Sequence, residues 1–92
     1  MKKIINITIE VNSDKLIGKK YVPRDNSYIK NLRDRSWASL YGSPNLRIIS
    51  DTYSEKTGEF PNPDKYQTFI NVIDILSGEM YRVMYSPAWV ED

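Results

Sequence analysis

The 92-residue chain contains no cysteine and no histidine. Without cysteine there are no disulfides, no thiolate nucleophiles and no thiolate metal sites, and without either residue the common zinc ligand sets are gone. The missing histidine also removes the side chain used most often for acid–base catalysis near neutral pH. Carboxylates and lysines remain, but no Gly-x-Ser-x-Gly elbow and no phosphate-cradling glycine-rich loop accompanies them. Gly42, Gly58 and Gly78 fall where turns need them. An enzyme is not expected, and no catalytic residue, cofactor or metal ion is assigned. Long apolar runs are absent too. None approaches the roughly 18 residues of a membrane span, so no membrane partner is expected. The start, "MKKIINITIEV", opens like a secretory signal, but Asn6, Thr8 and Glu10 interrupt it and no small-residue cleavage site follows. A cytoplasmic protein is the expectation.

What is present is one small domain's worth of chain with an ordinary globular balance of 40% hydrophobic and 27% charged residues. The formal net charge of +1 conceals a segregation. Residues 15–35 carry seven cations against Asp25 and Asp34, or +5, whereas residues 51–92 carry eight acids against Lys56, Lys65 and Arg82, or −5. Either the two segments neutralise each other across the folded surface, or a basic face meets an anionic partner.

Residues 3–11 alternate strictly, with Ile5, Ile7, Ile9 and Val11 on one side and Asn6, Thr8 and Glu10 on the other. Period two with β-branched residues predicts a half-buried strand, ended by Asn12-Ser13-Asp14. Residues 16–24 form a second strand candidate, bent at Gly18 and limited by Pro23. Residues 27–42 are ambiguous. Ile29, Leu32, Ser36, Trp37, Leu40 and Tyr41 mark one face of an amphipathic helix, yet Asn26, Ser27 and Asn31 are poor helix formers. Leu46 to Tyr53 predicts a buried strand, and residues 54–65 a long loop. Residues 66–76 and 79–85 predict a hairpin around a two-residue Ser77-Gly78 turn. Its register would pair Ile75 with Met80, Ile73 with Arg82 and Val72 with Val83. One hairpin face is then Ile70, Val72, Tyr81, Val83 and Tyr85. The other holds Phe69, Ile73, Ile75, Met80 and Met84 with Asn71 and Arg82, and needs a cover.

Three stretches, "DNSYIKNL" (25–32), "GSPNLRIISDTY" (42–53) and "FINVIDILSGEMYRVMYSPAWV" (69–90), resemble a class of short phage-encoded proteins of unknown function with a small SH3-like β-barrel. The resemblance spans roughly residues 16–90 and implies an all-β, β-rich fold. It implies a strand-like Tyr28 to Leu32, one short helix around Ser36 to Tyr41, and residues 1–14 as an N-terminal strand added before the barrel of 15–92. That addition is placed to pair with an open edge or to form a homodimer. In the last stretch, Ser86-Pro87 starts one tight helical turn that swings Trp89 over the barrel end as a core plug, with Val90 in a short last strand.

Two functions follow. The first is a non-enzymatic phage accessory protein in the bacterial host cytoplasm. It would bind a host protein or complex stoichiometrically and inhibit or modulate it, for example against host defence. The alternative is a nucleic-acid-binding module on the face of residues 19–41. There Lys19, Lys20, Arg24, Lys30, Arg33 and Arg35 interleave with Tyr21, Tyr28, Trp37 and Tyr41, joining phosphate attraction to base stacking. The expected partner-binding residues are Lys19, Lys20, Arg24, Tyr28, Lys30, Arg33, Arg35, Trp37 and Tyr41. Asp51, Glu55, Glu59 and Asp64 form a carboxylate group around the long loop, but their spacing matches no Ca²⁺ loop.

Overall fold

The computed structural model describes residues 15–25, 29–57 and 64–91. The expected N-terminal strand of residues 3–11, the dimer contact assigned to it, Tyr28 and the middle of the long loop lie outside the described residues.

The fold is all-β. Seven strands form one antiparallel sheet: β1 (Lys20–Tyr21), β2 (Lys30–Asn31), β3 (Leu46–Ile48), β4 (Tyr53–Lys56), β5 (Tyr66–Asp74), β6 (Met80–Met84) and β7 (Val90–Glu91). Their order is β2-β6-β5-β3-β1-β7, with β4 also on β5. Among the described residues no pairing joins β2 to β7.

The long strand β5 organises the rest. Its C-terminal half pairs with β3, Ile48 facing Val72, and its N-terminal half pairs with β4, Tyr53 facing Phe69. Between these two pairs, residues 49–52 oppose only Ile70 and Asn71. The extra residues form a wide bulge, which bends the strand and sharpens its twist. The bulge leaves no loss at Asn71: its carbonyl accepts from the Ile49 amide at 2.9 Å, and its amide donates to the Ser50 hydroxyl at 2.9 Å.

The core lies on one side of the curled sheet. It comprises Tyr21, Ile29, Leu46, Ile48, Ile70, Val72 and Val83, with Leu16, Ala38, Leu40, Tyr81, Tyr85, Trp89 and Val90 packed around it. Ile29, just before β2, and Val90 of β7 therefore join one core.

The hairpin of β5 and β6 differs from the expected one. Ile70 faces Val83, Val72 faces Tyr81 and Ile73 faces Met80, and Ile75 lies in the turn. The loop holds four residues, 75–78, closed by the Asp74 amide donating to the Glu79 carbonyl at 2.9 Å. The cause is Asp74. Its carboxylate accepts from the amides of Leu76 (2.8 Å) and Ser77 (3.2 Å), which captures the chain before Ser77-Gly78 can form a two-residue turn. Gly78 takes the single left-handed position, at φ 78°. The slip is by two residues, so each side chain keeps the expected face and only its partner changes.

The middle segment is not helical. Residues 36–41 are extended or turn, and the one helical element among the described residues is the 3-10 turn Pro87–Trp89. Residues 29–38 instead form a small hairpin in which Lys30 bridges Trp37 and the Ala38 amide donates to the Ile29 carbonyl at 3.0 Å.

At the C-terminal corner, the Tyr21 hydroxyl donates to the Met84 carbonyl and accepts from the Ser86 amide at 3.1 Å. The 3-10 turn follows, and Val90 pairs with Tyr21. Trp89 is half-buried and meets Tyr21 edge-on, at 6.1 Å between ring centres. It covers the end of the core rather than filling it.

Trp89→Ala should lower stability by about 2–3 kcal/mol in urea denaturation, below the roughly 3–5 kcal/mol of a fully buried ring. Tyr21→Phe should cost about 1–2 kcal/mol at neutral pH, since it leaves two backbone groups without their partner. Burial pushes the Tyr21 hydroxyl far above the ordinary tyrosine range, against the opposing hydrogen bond from the Ser86 amide. The folded state therefore holds this proton more tightly than the unfolded chain. Its contribution is complete below the unfolded value of about 10 and is lost as the pH climbs beyond it. Tyr53 and Tyr81 are raised in the same direction, by burial first. Denaturation midpoints measured from neutral to strongly alkaline pH should fall above about pH 10, and less steeply in Tyr21→Phe.

Candidate functional site

The expected binding residues fall into two groups at opposite ends of the strand order. Lys20 in β1 and Arg24 just after it stand at the β1–β7 end, where both meet Glu91, at 3.9 and 3.1 Å. Lys19 precedes them in the same ladder, its carbonyl accepting from the Ile48 amide at 2.9 Å. Tyr41 is exposed and sits next to the Gly42 amide, which donates to the Pro23 carbonyl at 2.8 Å. Lys30, Arg33, Arg35 and Trp37 stand at the other end, on β2 and its turn. The face of residues 19–41 is thus divided by β6, β5 and β3. Arg33 is engaged as well, pairing with Glu79 at 3.0 Å.

The turn that carries Arg33 and Arg35 repeats the β5–β6 turn almost bond for bond. In "NLRDRS" (31–36) the Asn31 side-chain oxygen accepts from the amides of Arg33 (2.8 Å) and Asp34 (3.1 Å). The Asn31 carbonyl accepts from the Arg35 amide at 2.9 Å, and the Asn31 amide donates to the Ser36 carbonyl at 2.8 Å. In "DILSGE" (74–79) the same roles pass to Asp74, Leu76, Ser77, Gly78 and Glu79. The two turns are tied together, since the Asn31 side-chain amide donates to Glu79 at 2.9 Å. The Ser36 hydroxyl and amide both donate to Asp34, which holds that carboxyl below its usual range. One position differs. Where the second turn has Gly78, the first has Arg35, at φ 65°. A side chain with a Cβ is strained in that left-handed region.

Beside this turn, on the sheet face away from the core, is a cluster that sequence reading did not assemble. Lys30 faces Arg82 across the β2–β6 pair, and Arg82 faces Asn71 across β6–β5. Lys30 lies over the exposed Trp37 ring at 4.9 Å from its centre. The Arg82 guanidinium stacks on Phe69 at 4.1 Å and pairs with Glu55 from β4. Its side chain is only 12% exposed, and its buried Nε has no hydrogen-bond partner among the described residues. Tyr53, tilted against Phe69 at 6.3 Å, donates its hydroxyl to the Asn71 side chain. Burial raises the Tyr53 hydroxyl, Glu55 raises it further, and the charges of Arg82 and Arg35 oppose them. On the second hairpin face, among the described residues, the Arg82 guanidinium and the Tyr53 ring cover Phe69, while Ile75 and Met80 stay exposed. The signal available in the sequence was the pair Asn71 and Arg82, two polar residues in a face otherwise apolar.

Of the acidic residues around the loop, Glu59 lies outside the described residues, and the described ones form no cluster able to hold a metal. Glu55 is taken by Arg82, and Asp64 pairs with Lys56 at 3.0 Å. No helix among the described residues is long and apolar enough to cross a membrane. No protein-family model matches this chain, and neither a curated protein nor a solved structure matches it.

If Arg35 serves only to close its turn, glycine is the better residue there. Arg35→Gly should raise stability by about 0.5–1 kcal/mol in urea denaturation, because it removes left-handed strain and breaks none of the backbone bonds of the turn.

Proposed function

We infer that the protein is a non-enzymatic binding protein that holds a partner protein stoichiometrically, with the tip of the β5–β6 hairpin as the principal contact. One observation carries this reading. Ile75 (53%), Leu76 (78%) and Met80 (46%) are exposed together at one end of the sheet. The turn between them is held by the Asp74 carboxylate, so the apolar side chains are presented on a fixed frame. Clustered large apolar side chains on a rigid element favour protein contact, because burying them costs little ordering entropy. The division of the basic residues between two sheet ends weighs against a continuous phosphate-binding track.

The resemblance to short phage-encoded SH3-like proteins supplies the biological setting. The corner and aromatic of that resemblance correspond to the Pro87–Trp89 turn and the strand that returns to β1. In that setting the partner is a protein or complex of the bacterial host cytoplasm, and binding inhibits or modulates it.

The test compares the wild-type protein with Leu76→Asp in affinity capture from bacterial lysate, followed by reconstitution with the captured protein. A one-to-one complex that Leu76→Asp abolishes, with folding stability within about 0.5 kcal/mol of wild type, is the expected result. Retention of the complex by the variant overturns the hairpin tip as the contact. Turnover of a nucleotide or nucleic acid, lost on substituting a carboxylate, overturns the non-enzymatic reading.

A further inference from the structure

The β2–β6–β5 outer face carries a second feature, independent of the hairpin tip. Two cations share it, and a third stands on the adjoining turn. Lys30 and Arg82 sit directly opposite each other in the ladder, where like charges are unfavourable, and Arg35 is held in a left-handed conformation on the turn that follows β2. Among the described residues the carboxylate that pairs with this group is Glu55, and it is spent on Arg82. Arg82 is deeply buried for a guanidinium and has one nitrogen without a partner among the described residues. Such an arrangement costs stability unless an anion uses it. Next to the cations, one bridge further along the ladder, Trp37 leaves 64% of its surface open. Trp37 and Arg82 are two strand spacings apart, roughly 10 Å, which suits a base at one end and a phosphate at the other.

We propose that this face binds a nucleoside phosphate, with the phosphate held by Lys30, Arg35 and Arg82 and the base stacked on Trp37. Aromatic stacking accepts any base, and the cations supply charge-assisted hydrogen bonds to phosphate oxygens. Glu55 occupies the place of the ligand's charge when the site is empty and swings away when the phosphate arrives. It is nearly half exposed, so its release to solvent is cheap. The strained Arg35 is then explained: its guanidinium reaches the ligand, and glycine in its place would favour the fold but weaken the site.

The same chemistry is offered by a free nucleotide and by one unit of a single strand. Adenosine monophosphate, a short oligodeoxythymidylate and inorganic phosphate are titrated separately into the full-length protein, followed by tryptophan fluorescence and calorimetry. The nucleotide or the oligonucleotide should bind more tightly than inorganic phosphate and quench Trp37. Binding of both assigns the nucleoside phosphate itself, and binding of the oligonucleotide alone assigns a single strand as its source. Arg35→Gly should weaken binding by roughly tenfold although the protein remains folded. Glu55→Gln should strengthen it by roughly threefold, a gain that loss of folding cannot imitate. The proposal is overturned by undiminished affinity in Arg35→Gly, by equal binding of inorganic phosphate, by no binding of either nucleic-acid probe, or by equal competition from a glutamate-rich peptide.

Discussion

The Tyr21 hydroxyl is the bond on which this small sheet depends. β1 and β7 are each only two residues long, too short to hold their places by ladder bonds alone. The tyrosine is fully buried, and its hydroxyl engages the Met84 carbonyl and the Ser86 amide where the chain leaves β6. That contact fixes where the corner starts. The 3-10 turn then has one path, and it delivers Val90 opposite Tyr21 and Trp89 against the Tyr21 ring. A further backbone bond, the Val22 amide to the Trp89 carbonyl at 2.9 Å, closes the loop of contacts. One side chain thus supplies core volume, satisfies two backbone groups and positions the last strand.

The bulge between β3 and β4 divides labour between the two sheet faces. Before it, Leu46 and Ile48 point into the core; after it, Tyr53 and Glu55 stand over the opposite face beside Phe69 and Arg82. Asn71 is the hinge of this change. Its backbone is satisfied by Ile49 and Ser50, and its side chain takes the Tyr53 hydroxyl. A single nine-residue strand, β5, can then serve an apolar core with Ile70 and Val72 and a polar cluster with Phe69 and Asn71. The two Asx-closed turns sit at the end of the same sheet and brace each other through Glu79, which receives both Asn31 and Arg33.

Much of this was legible in the sequence, and the failures have physical causes. The strands expected over 66–76 and 79–85 form as Tyr66–Asp74 and Met80–Met84, with Ile70, Val72 and Val83 on the core face as expected, whereas the single strand expected over Leu46 to Tyr53 stops at Ile48 and β4 (Tyr53–Lys56) runs into the expected loop. Pro87 marked its helical turn because its φ suits a first helical position. The hairpin register was missed because a carboxylate four residues before Gly78 outcompeted the Ser-Gly dipeptide for the turn. In the middle segment the strand-like reading of Tyr28 to Leu32 holds at Lys30–Asn31, and the helix readings fail for a related reason. Ile29, Leu32 and Leu40 have helical spacing, but Asn31 uses its side chain to cap a turn, and that local bond defeats helix continuation. No residue type announces a left-handed arginine, so the likeness of "NLRDRS" to "DILSGE" emerges only from the backbone. The outer cluster was hidden because Arg82 and Glu55 are 27 residues apart and meet only after the bulge has turned β4 onto that face.

The charge segregation of the chain then acquires a specific meaning. Lys20, Arg24 and Arg33 from the basic half meet Glu91 and Glu79 from the acidic half. The +5 and −5 segments are interleaved by topology, so little long-range field survives to steer a distant partner. Exposed pairs of this kind add little stability, yet they remove cations from any ligand's reach. What they leave at the β2 end is local: Lys30 opposite a buried Arg82, with Arg35 on the adjoining turn. On the functions proposed above, recognition works at contact distance, through stacked rings, directed guanidinium bonds and a rigid apolar tip. Within such a scheme a single strained residue or one displaced carboxylate sets affinity, and net charge does not.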